Sequence, residues 1–197
     1  LTKVLSPEDA WCAEKFLIAS YDKIDFEIFK KHTQRYLAYR LLNDLLELKF
    51  PKVAKPKKIE GLVPLNEIFD VYNGLASSQV VVSDDSENDS DIRYIRPSKS
   101  YAGSIAGYVD KTQIDDKYIY PDNTIYVSTD GQGSHSYSYV SSFEFVPNSN
   151  VSVLIPKRQM SLQEKIYYSI CVTSNRFKFS YGRKPKGERL KEILIPA

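Results

Sequence analysis

Residues 160–196 read MSLQEKIYYSICVTSNRFKFSYGRKPKGERLKEILIP, and the order of signals in that stretch decides the kind of fold to expect. Ser161 and Glu164 have the spacing of a capping box, in which a hydroxyl and a carboxylate satisfy the free amides of a helix start. A helix is predicted from there to the neighbourhood of Val172. A basic, aromatic, glycine-broken segment follows it. Between Arg176 and Lys191 stand seven Lys or Arg residues and one acid, Glu188, with Phe177, Phe179 and Tyr181 among the charges. Such a segment can grip a phosphate backbone. KEILIP at 191–196 then reads as a closing strand.

Working towards the amino terminus, the pattern from Leu62 onward is one of short strands. LVPLNEIFDVYNG predicts a short helix or turn at Leu65 to Ile68, then a strand ending at Gly74. Five acids lie between Asp84 and Asp91. That run cannot be buried and repels phosphate, so it is expected as a mobile surface loop. Its spacing lacks the central Gly and terminal Glu of a calcium loop. DIRYIRPS is expected as a strand in which Ile92, Tyr94 and Arg96 alternate against Arg93 and Ile95. Further strands are expected near Gly107 and over Thr124 to Thr129, with Asp122-Asn123 as a turn. DGQGS at 130–134 is a tight loop. In SYSYV the tyrosines at 137 and 139 share a face, and Phe143 and Phe145 share another.

The first sixty residues read differently. Ser6, Pro7 and Asp9 start a helix. A second is expected from Phe26 to Leu48, with Phe29, Tyr36, Leu37, Leu41, Leu45 and Leu48 as an apolar stripe. Pro51 ends it, and a basic linker carrying Lys52, Lys55, Lys57 and Lys58 leads to Gly61. The expected organisation is a helical connecting segment over 1–60 and a compact, β-rich α+β domain over 61–197.

Composition narrows the function. Residues 1–60 carry twelve basic and nine acidic side chains, and residues 61–197 carry fifteen and sixteen. Nucleic-acid binding by the larger part must therefore rest on a local patch and not on global charge. Fifteen tyrosines favour β-structure and suggest a surface that meets a partner through amphipathic rings. Cys12 and Cys171 have no CxxC partner and are expected as buried thiols in a reducing cytoplasm. No signal peptide or membrane span is visible. The chain opens at Leu1 without a Met, so it can be an excerpt of a longer protein.

No catalytic set stands out. His32 and His135 lack metal-ligand spacing. Ser134 and His135 are adjacent and would point to opposite faces of a strand, which argues against a nucleophile and base. DGQGS lacks the Lys of a phosphate loop. Asp115, Asp116 and Lys117 lack a second acidic arm for metal-assisted cleavage.

Several fragments, in order, resemble the DNA target recognition domains of restriction–modification specificity subunits, as in Type I systems and related Type IIB and IIG enzymes. They are PLNEIFDVYNG, IRYIRPSKSYAGSIAGYV, PDNTIYVSTDGQGSHSYSY, the strand and capped helix of FVPNSNVSVLIPKRQMSLQEKIYYSICV, and FSYGRKPKGERLKEILIP. The last is the most specific, and together they span Leu62 to Pro196. The resemblance implies sequence-specific recognition of double-stranded DNA. It also implies a partner methyltransferase, in some assemblies with a nuclease, present as a separate subunit or a fused domain. S-adenosylmethionine and Mg2+ would then belong to those partners, and this chain would hold no cofactor of its own.

Three groups are the expected DNA contacts. Arg96, Ser98 and Lys99 follow the DIRYI strand, where Pro97 fixes a turn. Thr129, Gln132, Ser134 and His135 surround the glycine loop, which permits close approach to a groove. Lys178, Arg183, Lys184 and Lys186 lie in the basic tail, the last two facing phosphates. Tyr181 is expected to shape a turn and cover the core. Two alternatives stay open. One is a protein-interaction module built on the tyrosines and the amino-terminal helices. The other is a metal-dependent hydrolase around the acidic loop.

Overall fold

The computed structural model describes residues 18–38, 61–131 and 133–197. The predicted helix start at Ser6, the continuation of the second helix to Leu48, Cys12, the basic linker and Gln132 lie outside the described residues. The described chain is mixed α+β with three small open sheets. Strands β1 (Leu62–Pro64) and β9 (Leu194–Pro196) pair antiparallel, Leu62 opposite Pro196. This pair ties the start of the β-rich region to its end.

The second sheet has the order β2 (Phe69–Asn73), β8 (Val151–Pro156), β5 (Ile125–Ser128), β6 (Ser138–Val140), all antiparallel. The third has the order β4 (Ile105–Asp110), β3 (Asp91–Ile95), β7 (Phe145–Pro147), with β3 and β7 parallel. Five α-helices among the described residues accompany them: α1 (Phe26–Leu37), α2 (Leu65–Ile68), α3 (Tyr101–Ser104), α4 (Leu162–Ser174) and α5 (Glu188–Lys191). The helix at Leu65, the strand before Gly74 and the capping box of Ser161 and Glu164 stand where the sequence put them. Gly74 must be a glycine, because a Cβ there would lie 2.1 Å from the Pro147 carbonyl oxygen. Asn123, in the Asp122-Asn123 turn, takes a left-handed φ of 59°.

β5 is buried on both faces, and alternation divides its side chains between two cores. Ile125 and Val127 join the core against α4, with Leu154, Ile166 and Ile170. Tyr126 turns the other way, into an aromatic cluster with Tyr101, Tyr139, Phe143 and Phe145. A third cluster, containing Ile92, Tyr94, Val109 and Val146, also draws on the three-stranded sheet.

Three expectations are corrected. KEILIP is not a strand throughout; Lys191 ends α5, and the strand begins at Leu194. Arg96 does not continue the alternation of DIRYI, because β3 ends at Ile95, just past a shift in its register with β4. Within the strand the alternation holds: Ile92 and Tyr94 join one core cluster and Ile95 another, so both Tyr94 and Ile95 are buried. The tyrosines are mainly core and not a contact surface. Tyr21, Tyr36, Tyr94, Tyr101, Tyr120, Tyr126, Tyr139 and Tyr168 are buried. Hydroxyl partners make this possible, since a buried hydroxyl without one is costly. Tyr126 bonds Ser104 at 2.7 Å, Tyr101 bonds Ser142 at 2.9 Å, and Tyr94 donates to the Leu75 carbonyl at 3.1 Å.

The described part of the first sixty residues packs into the same core as the β-rich region. Asp25 caps α1 by accepting from the Ile28 amide at 2.9 Å. The buried face of α1 carries Thr33, Tyr36 and Leu37, and the helix packs on α4 and β6. The Tyr36 hydroxyl donates to Asn123 Oδ1, and the Tyr21 hydroxyl donates to the Leu194 carbonyl. Asn175 donates to Tyr21 at 2.8 Å and to the Cys171 carbonyl at 2.8 Å. No helix among the described residues is long and apolar enough to cross a membrane.

His32 stacks on Tyr139, with ring centroids 6.4 Å apart. Burial, helped by the Arg35 and Lys31 charges, pushes its pKa down to about 4. Its folded pKa lies below the ordinary value of about 6.5. Stability from this seat is therefore complete above about 6.5 and is lost as pH falls towards 4. We predict that unfolding midpoints in urea fall over that window, and that His32→Phe flattens the fall. An identical pH profile in the variant would contradict this account of His32.

Candidate nucleic-acid interface

The three groups singled out in the sequence meet at one loop. β3 delivers the chain to Arg96, whose amide donates to the Ser104 carbonyl at 2.8 Å. The segment after it is fixed to β5 and β6. The Ser98 amide donates to Ser128 Oγ at 3.1 Å, and the Tyr139 hydroxyl donates to the Lys99 carbonyl at 2.6 Å. These bonds leave the side chains of Arg96 and Lys99 exposed.

β5 ends at Ser128 and runs through Thr129 into the glycine loop. The Ser134 amide donates to the Gly131 carbonyl at 3.0 Å, and its hydroxyl donates to the Asp130 carbonyl at 2.9 Å. Gly131 and Gly133 take φ of 88° and 74°, a region that side chains disfavour. The absent side chains matter as well. A Cβ on Gly131 would meet Ser134 Oγ at 2.2 Å, and one on Gly133 would meet Lys99 Cε at 2.9 Å. The Lys99 stem thus lies against the loop.

The basic tail holds this loop from two sides. The Arg176 guanidinium lies 3.9 Å from the Tyr137 ring centroid. It donates through Nε to the His135 carbonyl at 3.2 Å and through Nη2 to the Gly133 carbonyl at 3.2 Å. On the other side Lys184 Nζ reaches Asp130 Oδ2 at 2.6 Å. The Lys184 hydrogen bond, aided by the Gly131 amide, holds the Asp130 carboxyl below its ordinary range. This pair is intact above the ordinary carboxylate pKa and is lost as pH falls through the depressed one. Lys186 Nζ donates to the Ser149 carbonyl at 3.1 Å. Between these cations, Ser180 and Arg183 exchange backbone hydrogen bonds at 3.1 and 3.0 Å. Tyr181 and Gly182 form the tip of the resulting hairpin.

Not every expected contact faces outward. Thr129 is fully buried, Ser134 is 6% exposed and Lys178 is 4% exposed. Thr129 donates its amide to the Asn150 carbonyl and Ser134 closes the loop, so both support the surface from within. Lys178 lies in the turn after α4, its amine 5.8 Å from the Phe177 ring centroid. Ser98 is half-buried and accepts the Ser100 amide at 3.2 Å. His135 is half-buried and takes part through its carbonyl. Tyr181 does not cover the core; it is 82% exposed. Arg176 and Asp130 were not among the expected contacts. Each acts on a partner more than forty residues away, and no local pattern announces such a bond.

The acidic run lies at the opposite end of β3. Asp91 begins that strand, and its carboxylate accepts the Glu87 and Asn88 amides, each at 2.8 Å. Asp115 is engaged with Lys117 at 2.6 Å. Among the described residues no group of three or more His, Cys, Asp or Glu could hold a metal ion.

Residues 56–197 match the family model of the Type I restriction modification DNA specificity domain. The chain belongs to that family. The family is one of DNA specificity domains. Similar solved structures include the HsdS subunit from Thermoanaerobacter tengcongensis, at 13% identity and a TM-score of 0.50 over 86% of this chain and 40% of that one. A Type-I restriction-modification system S subunit from M. genitalium matches at 14% identity and a TM-score of 0.49, over 87% of this chain and 43% of that one. The specificity domain described here therefore spans well under half the length of either subunit. No curated protein matches it by sequence.

Arg176 gives the test of this geometry. Arg176→Ala removes two charge-assisted hydrogen bonds and a cation–π contact, a loss of about 1–3 kcal/mol of stability. The amides of Ser134, Ser136 and Tyr137 should exchange with solvent faster in the variant. Arg176→Lys, which keeps the charge without the planar fork, should recover only part of the protection. Unchanged exchange in both variants would show that the loop holds its shape without the arginine.

Proposed function

We propose that this chain reads part of a double-stranded DNA sequence and positions a restriction–modification methyltransferase on it, in some assemblies together with a nuclease. It would do so in the cytoplasm, as the recognition domain of a Type I specificity subunit or of a related Type IIB or IIG enzyme. S-adenosylmethionine, and Mg2+ where cleavage occurs, would be used by the partner subunit or fused domain. In this reading residues 61–197 are the target recognition domain, and residues 1–60 are a connecting segment of amphipathic helices that leads towards the catalytic partner. The observation that carries the proposal is the meeting of Arg96, Lys99 and the hairpin from Ser180 to Lys184 around one glycine loop, in a chain of a DNA specificity family.

The surface suits a duplex in two respects. Arg96 can offer paired donors to a guanine edge, and Lys99 can follow the backbone. Lys184 and Lys186 can turn to phosphates. Their present partners are Asp130 and a carbonyl, and the Lys184 and Asp130 side chains are 40% and 27% exposed. An ammonium has three donors, so Lys184 can keep Asp130 while it meets a phosphate. The acidic end of β3 repels phosphate, which limits the orientations in which the domain can approach. With the tyrosines largely in the core, the protein-interaction alternative loses its tyrosine surface and rests on the amino-terminal helices.

Selection from a randomised duplex library by the full chain should enrich a short sequence. Arg96→Ala should relax the preference at one position by about 1–3 kcal/mol. Lys184→Ala and Lys186→Ala should weaken all sequences alike and lower the slope of log affinity against log salt by about one each. Equal retention of every sequence at moderate salt would contradict the proposal.

A further inference from the structure

We infer that Tyr181 is an aromatic probe that contacts the bases of the bound duplex from the tip of its hairpin. This rests on the DNA-reading function proposed above and adds to it an uncharged contact. At 82% exposure Tyr181 stands apart from the many tyrosines of the core. Its position is built, not trailing: Ser180 and Arg183 close a two-residue turn beneath it by reciprocal backbone hydrogen bonds. Gly182 beside it has nothing within 4 Å of a Cβ position, so the tip is open on that flank.

The tip is also located. The Tyr181 ring centroid lies 5.9 Å from Lys184 Nζ, and that amine is 2.6 Å from Asp130 in the glycine loop. On the other side of the loop Arg176 holds Gly133 and His135, and its neighbour Phe177 is 60% exposed. Tyr181 thus stands beside a cation that clamps the loop. An exposed ring costs free energy in water, and one surrounded by Lys and Arg fits a polyanion with apolar faces between its charges. In a duplex such surfaces are the thymine methyl groups of the major groove, and the base faces only where a step is wedged apart. A protein partner is the less apt occupant, since the nearby charges are those expected to meet phosphate.

The test compares the wild-type full chain with Tyr181→Ala, Tyr181→Phe and Lys184→Ala on its selected duplex at several salt concentrations. Tyr181→Ala should bind about tenfold more weakly, the size of burying one apolar side chain, with an unchanged salt slope. Tyr181→Phe should stay within about twofold of the wild type, because the ring and not the hydroxyl makes the contact. Since the ring covers no core, thermal unfolding of both variants should match the wild type. Wild-type affinity in Tyr181→Ala would overturn the inference while leaving DNA reading intact. So would a reduced salt slope equal to that of Lys184→Ala, which would make the ring a support for the lysine. Normal DNA affinity with lost binding of the methyltransferase would assign the ring to a protein interface instead. Failure of the wild type to select any sequence would defeat the functional proposal itself.

Discussion

The Arg176 guanidinium fastens the glycine loop to the basic tail. Gly131 and Gly133 adopt backbone conformations that other residues avoid, and their missing side chains let Ser134 and Lys99 close against the loop. Arg176 supplies a stack on Tyr137 and donors to two carbonyl oxygens. Lys184 supplies the opposing anchor at Asp130. Without these two cations, the basic tail and the glycine loop would be separate features of the surface. With them, the tail hairpin, the loop and the Arg96 segment are held in one fixed relation. The placement suits recognition, because a contact surface that is ordered before binding loses less entropy when it binds.

The rest of the fold keeps the platform beneath that loop rigid. β5 sits between two cores, and its carboxyl end feeds the loop directly. The aromatic core on one side of it is studded with satisfied hydroxyls. One of them, from Tyr139, reaches out to the Lys99 carbonyl, while the same ring stacks on His32 of α1. The amino-terminal helix is thus in contact with a residue that positions the recognition segment. Tyr21 and Asn175 extend this connection to the end of α4 and to β9.

Much of this was legible in the sequence, for local reasons. The capping box, the Asn123 turn, the Leu65 turn and most strands depend on neighbouring residues, and their patterns survive folding. The three candidate segments were legible as types of residue: exposed Arg and Lys, a glycine loop, a basic tail. Their convergence was not, because it depends on bonds such as those from Arg176 to His135 and from Lys184 to Asp130, which span tens of residues. Burial was the other hidden quantity. Lys178 and Thr129 look like surface contacts in a one-dimensional string, yet the turn after α4 and the end of β5 draw them inward. Tyr181 went the opposite way. Its apolar ring suggested a core role, but the two-residue turn at 180–183 directs it to solvent.

The central claim is that one continuous surface, made of three separate segments, faces DNA. Photo-crosslinking maps it most directly. The full chain would be bound to its selected duplex carrying iododeoxyuridine at successive positions, irradiated, digested and read by mass spectrometry. The account predicts adducts in 96–99, 131–135 and 177–186, with neighbouring bases reporting neighbouring segments. Adducts concentrated at the acidic run of 84–91 or along the exposed side of β2, with those three segments unmodified, would contradict it.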